Sequence, residues 1–266
     1  MRLPFRVLAA VAAAALAAGV VVAAGEEPDR HGARLVTFTV RSELVSRNLT
    51  ARAVVPAGVG DGERRPLLVF LHGRGGRPGD VFGANFYGQL RELGDRAPVV
   101  VAFDGGDHSY WHDRRSGRWG SYVMREALPE ALRRLPADPR RVAIGGISMG
   151  GFGALDLARL HPRRFCAVGG HSAALWLRSG DSAPGAFDGV ADYARHDVLG
   201  YVRRRAHPYA GIPIWLDHGR SDPFVPANQA LVRALRRRGA DVTHRVYAGA
   251  HTGAYWRRHI DEYLRF

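Results

Sequence analysis

The chain has 266 residues, 46% of them hydrophobic, one cysteine, and a formal net charge of +13 carried by arginine alone, since no lysine occurs. Such a length and apolar share suit one α/β-sized domain with a sizeable core and exclude global disorder. The lone Cys166 excludes an intrachain disulfide, and no CxxC or Cys/His metal spacing exists. The positive charge reads as a coding preference for arginine, or as attraction to an anionic surface such as a cell envelope. Because the arginines are scattered along the whole chain and not gathered on one face, a nucleic acid partner is not expected.

The first segment, MRLPFR, supplies two positive charges, and Val7 to Gly25 is then unbroken apolar sequence before the charged EEPDR. This is the layout of a secretory signal, with the small residues Val22-Ala23-Ala24 offering cleavage near Gly25. An uncleaved anchor is the competing reading and the only one that brings the chain to a membrane, but alanine stabilises a membrane span weakly compared with leucine. No cysteine follows the run, so a lipoprotein anchor is excluded. The chain therefore divides into residues 1–25, signal or anchor, and a domain over 26–266, expected outside the cytoplasm.

In the domain, RLVTFTV and LTARAVVP alternate and carry β-branched residues, as two antiparallel strands do. PLLVFLHG and APVVVAFDGG are continuous apolar runs ending in glycine, the pattern of parallel strands buried on both faces. RRVAIGG, RFCAVGG, IPIWLDHG and VTHRVYAG continue the series; Cys166 falls in the second of these and reads as a small core residue. Helical spacing alternates with the strands at Val81–Leu93, Tyr122–Leu135, Gly151–Leu160, Pro226–Arg238 and Tyr255–Leu264. Alternating strands and helices predict an α/β fold with a doubly wound sheet that binds ligands beyond the carboxyl ends of its strands. Ser172 to Pro208 breaks the rhythm with no clear strand, as an insertion over those ends would, and could form part of a pocket.

Gly146-Ile147-Ser148-Met149-Gly150 is a G-x-S-x-G pentapeptide between a strand and a helix. A serine there sits on a strained turn, where side chains two residues to either side would clash, hence the glycines. A serine hydroxyl is a poor nucleophile until a base takes its proton and an acid orients that base. In the order serine, acid, histidine, the candidate acids are Asp217 and Asp222. Asp217 ends a strand, where its side chain could point into packing, whereas Asp222 lies in the loop GRSDPFVP, free to turn towards a histidine. The base is expected at His251, in the loop after the last strand; His244 falls inside that strand and His259 inside the final helix. Two backbone donors must hold the oxyanion: the amide of Met149, and one from the loop HGRGG, where Arg74 is best placed.

These stretches resemble the putative-esterase (esterase D-like) branch of the α/β-hydrolase superfamily, which includes S-formylglutathione hydrolases, feruloyl, acetyl-xylan and siderophore esterases, and mycolyltransferases. The resemblance rests on LVFLHGRGG, VAFDGG…SYW, RWGSYVMREALPEAL, GGISMGGFGAL, HGRSDPFVPANQALVRALRRRG and YAGAHTGAYWRRHI, which run in the family's order from Pro66 to the C-terminus. It implies an α/β-hydrolase fold with a mostly parallel central sheet, a triad of Ser148, Asp222 and His251, and oxyanion amides at Arg74 and Met149. Mycolyltransferases generally carry a glutamate acid and a different motif at HGRGG, so Asp222 and His72 favour a hydrolase; the export layout disfavours the cytosolic formylglutathione enzymes. His72, Gly73, Tyr110, Trp111 and Trp176 are expected to line the substrate pocket, while Trp119 and Trp256 read equally as pocket or core. His108, His112 and His171 match no standard metal spacing, so no metal or other cofactor is expected. The expected activity is that of an exported serine esterase on a small-molecule or glycan-linked ester. A cell-envelope acyltransferase using the same triad and a non-catalytic envelope-binding protein are the alternatives.

Overall fold

The structure, a computed structural model, describes residues 27–266; the N-terminal segment read as a signal or anchor lies outside them. Strands β1 (Arg34–Ser42) and β2 (Arg47–Val55) form a hairpin. Then come β3 (Arg65–Leu71), α1 (Ala84–Leu93), β4 (Val99–Phe103), the two-residue strands β5 (Asp113–Arg114) and β6 (Gly117–Arg118), and a helix opening as α2 (Trp119–Tyr122). That helix widens to a π-turn at Val123–Ala127 and closes as α3 (Leu128–Arg134). The remainder is β7 (Ala137–Ile147), α4 (Met149–Leu160), β8 (Ala167–His171), α5 (Val190–His196), α6 (Val198–Arg204), β9 (Ile214–Gly219), α7 (Val225–Arg237), β10 (Val242–Tyr247) and α8 (Gly253–Arg265).

All eight strands read from the sequence lie in one sheet, in the order β1-β2-β4-β3-β7-β8-β9-β10. Only the contacts of β2 with β1 and β4 are antiparallel; β4, β3, β7, β8, β9 and β10 run parallel. Side chains alternate across a strand, and β4, fully buried, shows the consequence. Val99, Val101 and Phe103 join an apolar cluster with residues of α3, α4 and α7, whereas Val100 packs with Phe86, Leu90, Ile260 and Leu264 of α1 and α8 on the other face. Helices thus cover both faces, and the loops after β3, β7, β9 and β10 open at the same, carboxyl edge.

One expectation changes. Cys166 precedes β8 and is exposed, because the strand begins one residue later, at Ala167. The segment 172–208 lacks a strand, as expected; it carries α5 and α6, with Trp176, Phe187 and Val202 packed against or within the main core, and it contributes Leu175 and Trp176 to a cleft. Among the described residues no helix is long and apolar enough to cross a membrane.

Candidate active site

Strand β7 ends at Ile147 and α4 begins at Met149, so Ser148 alone makes the turn, at φ 53° and ψ −116°. A non-glycine residue at positive φ is strained, and the surroundings explain why it persists. A Cβ on Gly150 would lie 2.0 Å from the Leu71 carbonyl oxygen, and one on Gly146 would lie 2.6 Å from the same atom. The elbow therefore wedges into the end of β3, and only glycine on either side permits it.

The loops after β9 and β10 bring the other two groups to this turn. The Ser148 hydroxyl lies 2.8 Å from His251 Nε2, and His251 Nδ1 lies 2.8 Å from Asp222 Oδ2. Asp222 Oδ1 accepts the Phe224 N–H at 2.8 Å, which fixes the carboxylate in rotation. Burial raises the Asp222 carboxyl pKa, but the hydrogen bond from His251 and that from Phe224 outweigh it, and the group stays below its ordinary range. It is therefore an anion that accepts from Nδ1–H, leaving the Nε2 lone pair for the serine proton. Phe224 and Trp256 meet the imidazole edge-on, with ring centroids 5.0 and 4.9 Å away, and limit its rotation.

Asp217, the other candidate acid, serves a different purpose. It is fully buried and accepts from His171 Nδ1 (2.7 Å), Trp215 Nε1 (2.9 Å), Tyr255 Oη (2.8 Å) and Tyr263 Oη (3.0 Å). Those donors tie β8 and β9 to α8, so the carboxylate has no lone pair to spare for catalysis. His244 and His259 do fall inside β10 and α8.

The loop after β3 lies against the serine: a Cβ on Gly73 would be 3.4 Å from Ser148 Cβ. His72 orders this loop. Its Nε2 accepts the Gly105 N–H at 3.0 Å, so the hydrogen is on Nδ1, which donates to the Gly73 carbonyl at 2.8 Å; burial lowers the ring's pKa and keeps it neutral. Gly76 N–H donates to the same carbonyl at 3.0 Å. In a trans peptide the N–H points opposite to the carbonyl, so the Arg74 N–H is turned away from these contacts. Met149, as the first residue of α4, has no intrahelical acceptor for its N–H.

Two residues read as pocket lining are corrected. Both His72 ring nitrogens are committed to the backbone, and its side chain is buried, so it positions the loop instead of meeting substrate. Trp111 is wholly buried, donates to the His72 carbonyl at 3.2 Å, and lies against Gly105 and Gly153, where a Cβ would come within 2.5 Å of its side chain. It is a pillar under the loop. Trp119 is core as well. Tyr110 and Trp176 meet each other and Phe152 and Phe187 in one aromatic cluster. An apolar cleft is lined by Leu175, Trp176, Phe224 and Pro226, of which Phe224 meets His251; a second is lined by Gly73, Arg74, Asp80, Trp256 and Arg257, of which Trp256 meets His251. No motif or spacing in the chain marks Phe152 or Phe187 for this role.

A mostly parallel sheet with a strained serine elbow, served by a histidine and an anion from later loops, makes the chain a serine hydrolase of the α/β-hydrolase class. Comparison with known proteins agrees. The model of the family described as Putative esterase matches residues 42–266, and the chain belongs to that family. It is 26% identical over 249 residues to an acetyl esterase of Caldicellulosiruptor saccharolyticus, covering 82% of this chain and 92% of that one. It is 31% identical over 175 residues to an S-formylglutathione hydrolase of Paracoccus denitrificans, covering 63% of this chain and 55% of that one. The solved structure of a ferulic acid esterase shares the fold with a TM-score of 0.75 at 21% identity, over 87% of this chain and 96% of that one.

Proposed function

We propose that the chain is an exported esterase that hydrolyses small-molecule or glycan-linked esters with a short acyl group through an acyl-enzyme. The observation that carries this is the unbroken line Ser148–His251–Asp222, with both hydrogen bonds at 2.8 Å. In it, Ser148 Oγ attacks the ester carbonyl as His251 Nε2 takes its proton, and Asp222 stabilises the resulting imidazolium. The amides of Met149 and Arg74 receive the oxyanion. His251 then protonates the leaving alcohol, and a water activated by the same nitrogen releases the acid. The apolar cleft at Trp176 and Phe224 suits the acyl chain, whose length the bulk of those two rings would limit; the cleft rimmed by Arg74 and Arg257 suits a polar alcohol. Export rests on the sequence of residues 1–25, and the arginine-rich surface suits an anionic cell envelope.

The test compares the chain from Glu26 with its Ser148→Ala variant on p-nitrophenyl acetate, butyrate and octanoate. Turnover by the parent that disappears in the variant, with acetate or butyrate preferred, is the expected result. Equal inertness of both proteins on every ester would overturn it. Product analysis with an added sugar alcohol separates hydrolysis from transfer.

A further inference from the structure

His112, set aside from a metal role in the sequence, meets new partners in the fold. His112 stands in the loop before β5, whereas Asp192 and His196 are four residues apart on α5, which puts them on one helix face. All three are buried, at 1%, 3% and 9% exposure, and each offers a ligand atom within 4.8 Å of the others. His112 Nε2 lies 3.2 Å from Asp192 Oδ2, and His196 Nε2 lies 3.8 Å from Asp192 Oδ1. Ligands arranged tetrahedrally at the usual ~2.0–2.2 Å from zinc stand roughly 3.3 Å apart, so small side-chain adjustments suffice.

The outer contacts point the same way. His112 Nδ1 is 3.2 Å from the Tyr110 carbonyl, and His196 Nδ1 is 2.7 Å from Asp156 Oδ2. Asp156 is itself paired with Arg159 at 2.5 Å. Each Nδ1 thus donates to an oxygen, which leaves a lone pair on each Nε2, and both lone pairs face the Asp192 carboxylate. Two lone pairs opposed to an anion repel unless a positive charge lies between them; a proton on Nε2 answers one contact at a time, whereas a metal ion turns the same geometry into three bonds. Metal-binding histidines characteristically donate their second nitrogen to a carbonyl or carboxylate in this way. The Asp192 carboxylate is steadied from outside by the Asp188 N–H at 2.8 Å and by Arg195 at 3.0 Å. The rings of Phe152 and Phe187 flank His112.

We propose that His112, Asp192 and His196 form a site for one divalent transition-metal ion of the zinc class, which fastens the 172–208 segment to the catalytic body. Two imidazoles and one carboxylate suit zinc, with a water as fourth ligand. The site takes no part in ester cleavage. Its effect reaches the substrate because Phe187, from the fastened segment, packs on Tyr110 and Trp176 beside the acyl cleft.

To test this, the full chain is stripped with a chelator, dialysed, and titrated with Zn²⁺ by calorimetry and with Co²⁺ by visible absorption. One equivalent is expected to bind with micromolar or tighter affinity, to give the intense 500–700 nm bands of tetrahedral cobalt, and to raise Tm by several degrees. Asp192→Asn and His196→Gln should each weaken uptake at least a hundredfold, while Ser148→Ala should leave it unchanged. Absence of uptake at 100 µM Zn²⁺ would overturn the proposal, as would equal uptake by the Asp192→Asn and His196→Gln variants. Should those variants fail to fold, the cobalt spectrum of the parent decides: only the weak bands of octahedral cobalt would refute the site.

Discussion

Replacing Asp222 by Asn changes one atom type, and the hydrogen bonds around it dictate the outcome. The Phe224 N–H requires an acceptor at the Oδ1 position, where the bond is 2.8 Å. The amide oxygen must therefore take that place, and the NH₂ group falls where Oδ2 now faces His251 Nδ1 at 2.8 Å. An NH₂ donates, so Nδ1 becomes the acceptor and the ring hydrogen moves to Nε2. That nitrogen now points an N–H at Ser148 Oγ and cannot take its proton. The rotation that would restore the tautomer opposes the NH₂ to the Phe224 N–H instead. The loss expected for a wrong tautomer is about 10⁴-fold in kcat, equivalent to ~5.5 kcal/mol of transition-state stabilisation at about 1.36 kcal/mol per tenfold. Steady-state kinetics on p-nitrophenyl acetate at pH 7 measure it, with KM expected within a few-fold of the parent and Tm nearly unchanged. A loss below tenfold would refute the reasoning, since another group would then be orienting His251.

Asp217→Asn should do the opposite, destabilising the domain with kcat per folded molecule nearly intact. Removing one partner of a buried pair costs about 3–5 kcal/mol, a Tm drop of roughly 6–20 °C at about 2–4 °C per kcal/mol, read by calorimetry. Burial raises the Asp217 carboxyl pKa, but the bonds from His171, Tyr255 and Trp215 hold it below its ordinary range. Its stabilisation is therefore complete above the unfolded value of ~3.9 and disappears as pH falls through the folded one; Tm measured against pH below about 4 should fall less steeply in the variant. Trp111→Ala should cost about 3–5 kcal/mol of stability, whereas Trp176→Ala, at a half-buried ring, should lower Tm less and raise the octanoate-to-acetate ratio of kcat/KM several-fold. Gly150→Ala forces a Cβ to 2.0 Å from the Leu71 carbonyl and should yield insoluble protein, while Gly88→Ala in α1 meets nothing within 4 Å and should gain about 0.5–1 kcal/mol.

The strands were legible because burial writes itself into short apolar runs, and the sheet contains each of the eight runs read from the sequence. Helix starts were less so. Helix α4 begins at Met149, two residues before the expected Gly151, because glycines that depress helix propensity are required there by contact with β3. Trp111 and His72 escaped reading for a related reason. Tyr110 and Trp111 take positive φ (49° and 57°), which non-glycine residues rarely do. That turn buries the indole beneath the loop, while His72 is drawn inward by two backbone groups separated from it by 1 and 33 positions. Neither long-range backbone partners nor strained turns leave a periodic trace.

Side-chain pairs of the same composition play different parts in this molecule. Among the described residues four histidine–aspartate contacts bridge positions far apart in sequence: His112–Asp192, His171–Asp217, His196–Asp156 and His251–Asp222. As residue types they are indistinguishable, and in three of them an imidazole donates to a carboxylate at 2.7 or 2.8 Å. They differ in what the opposite nitrogen meets. For His171 it is the glycine backbone of β7 and β8, where a Cβ on Gly169 would come within 3.0 Å of Nε2. For His112 it is the Tyr110 carbonyl, and for His196 it is the Asp192 carboxylate. For His251 it is the hydroxyl of Ser148. Access follows the same division, since the His251 side chain is 20% exposed and those of His112, His171 and His196 are 0%, 4% and 11% exposed. A carboxylate makes an imidazole a better base wherever the two meet; only at the elbow can an ester carbonyl reach the group whose proton that base removes.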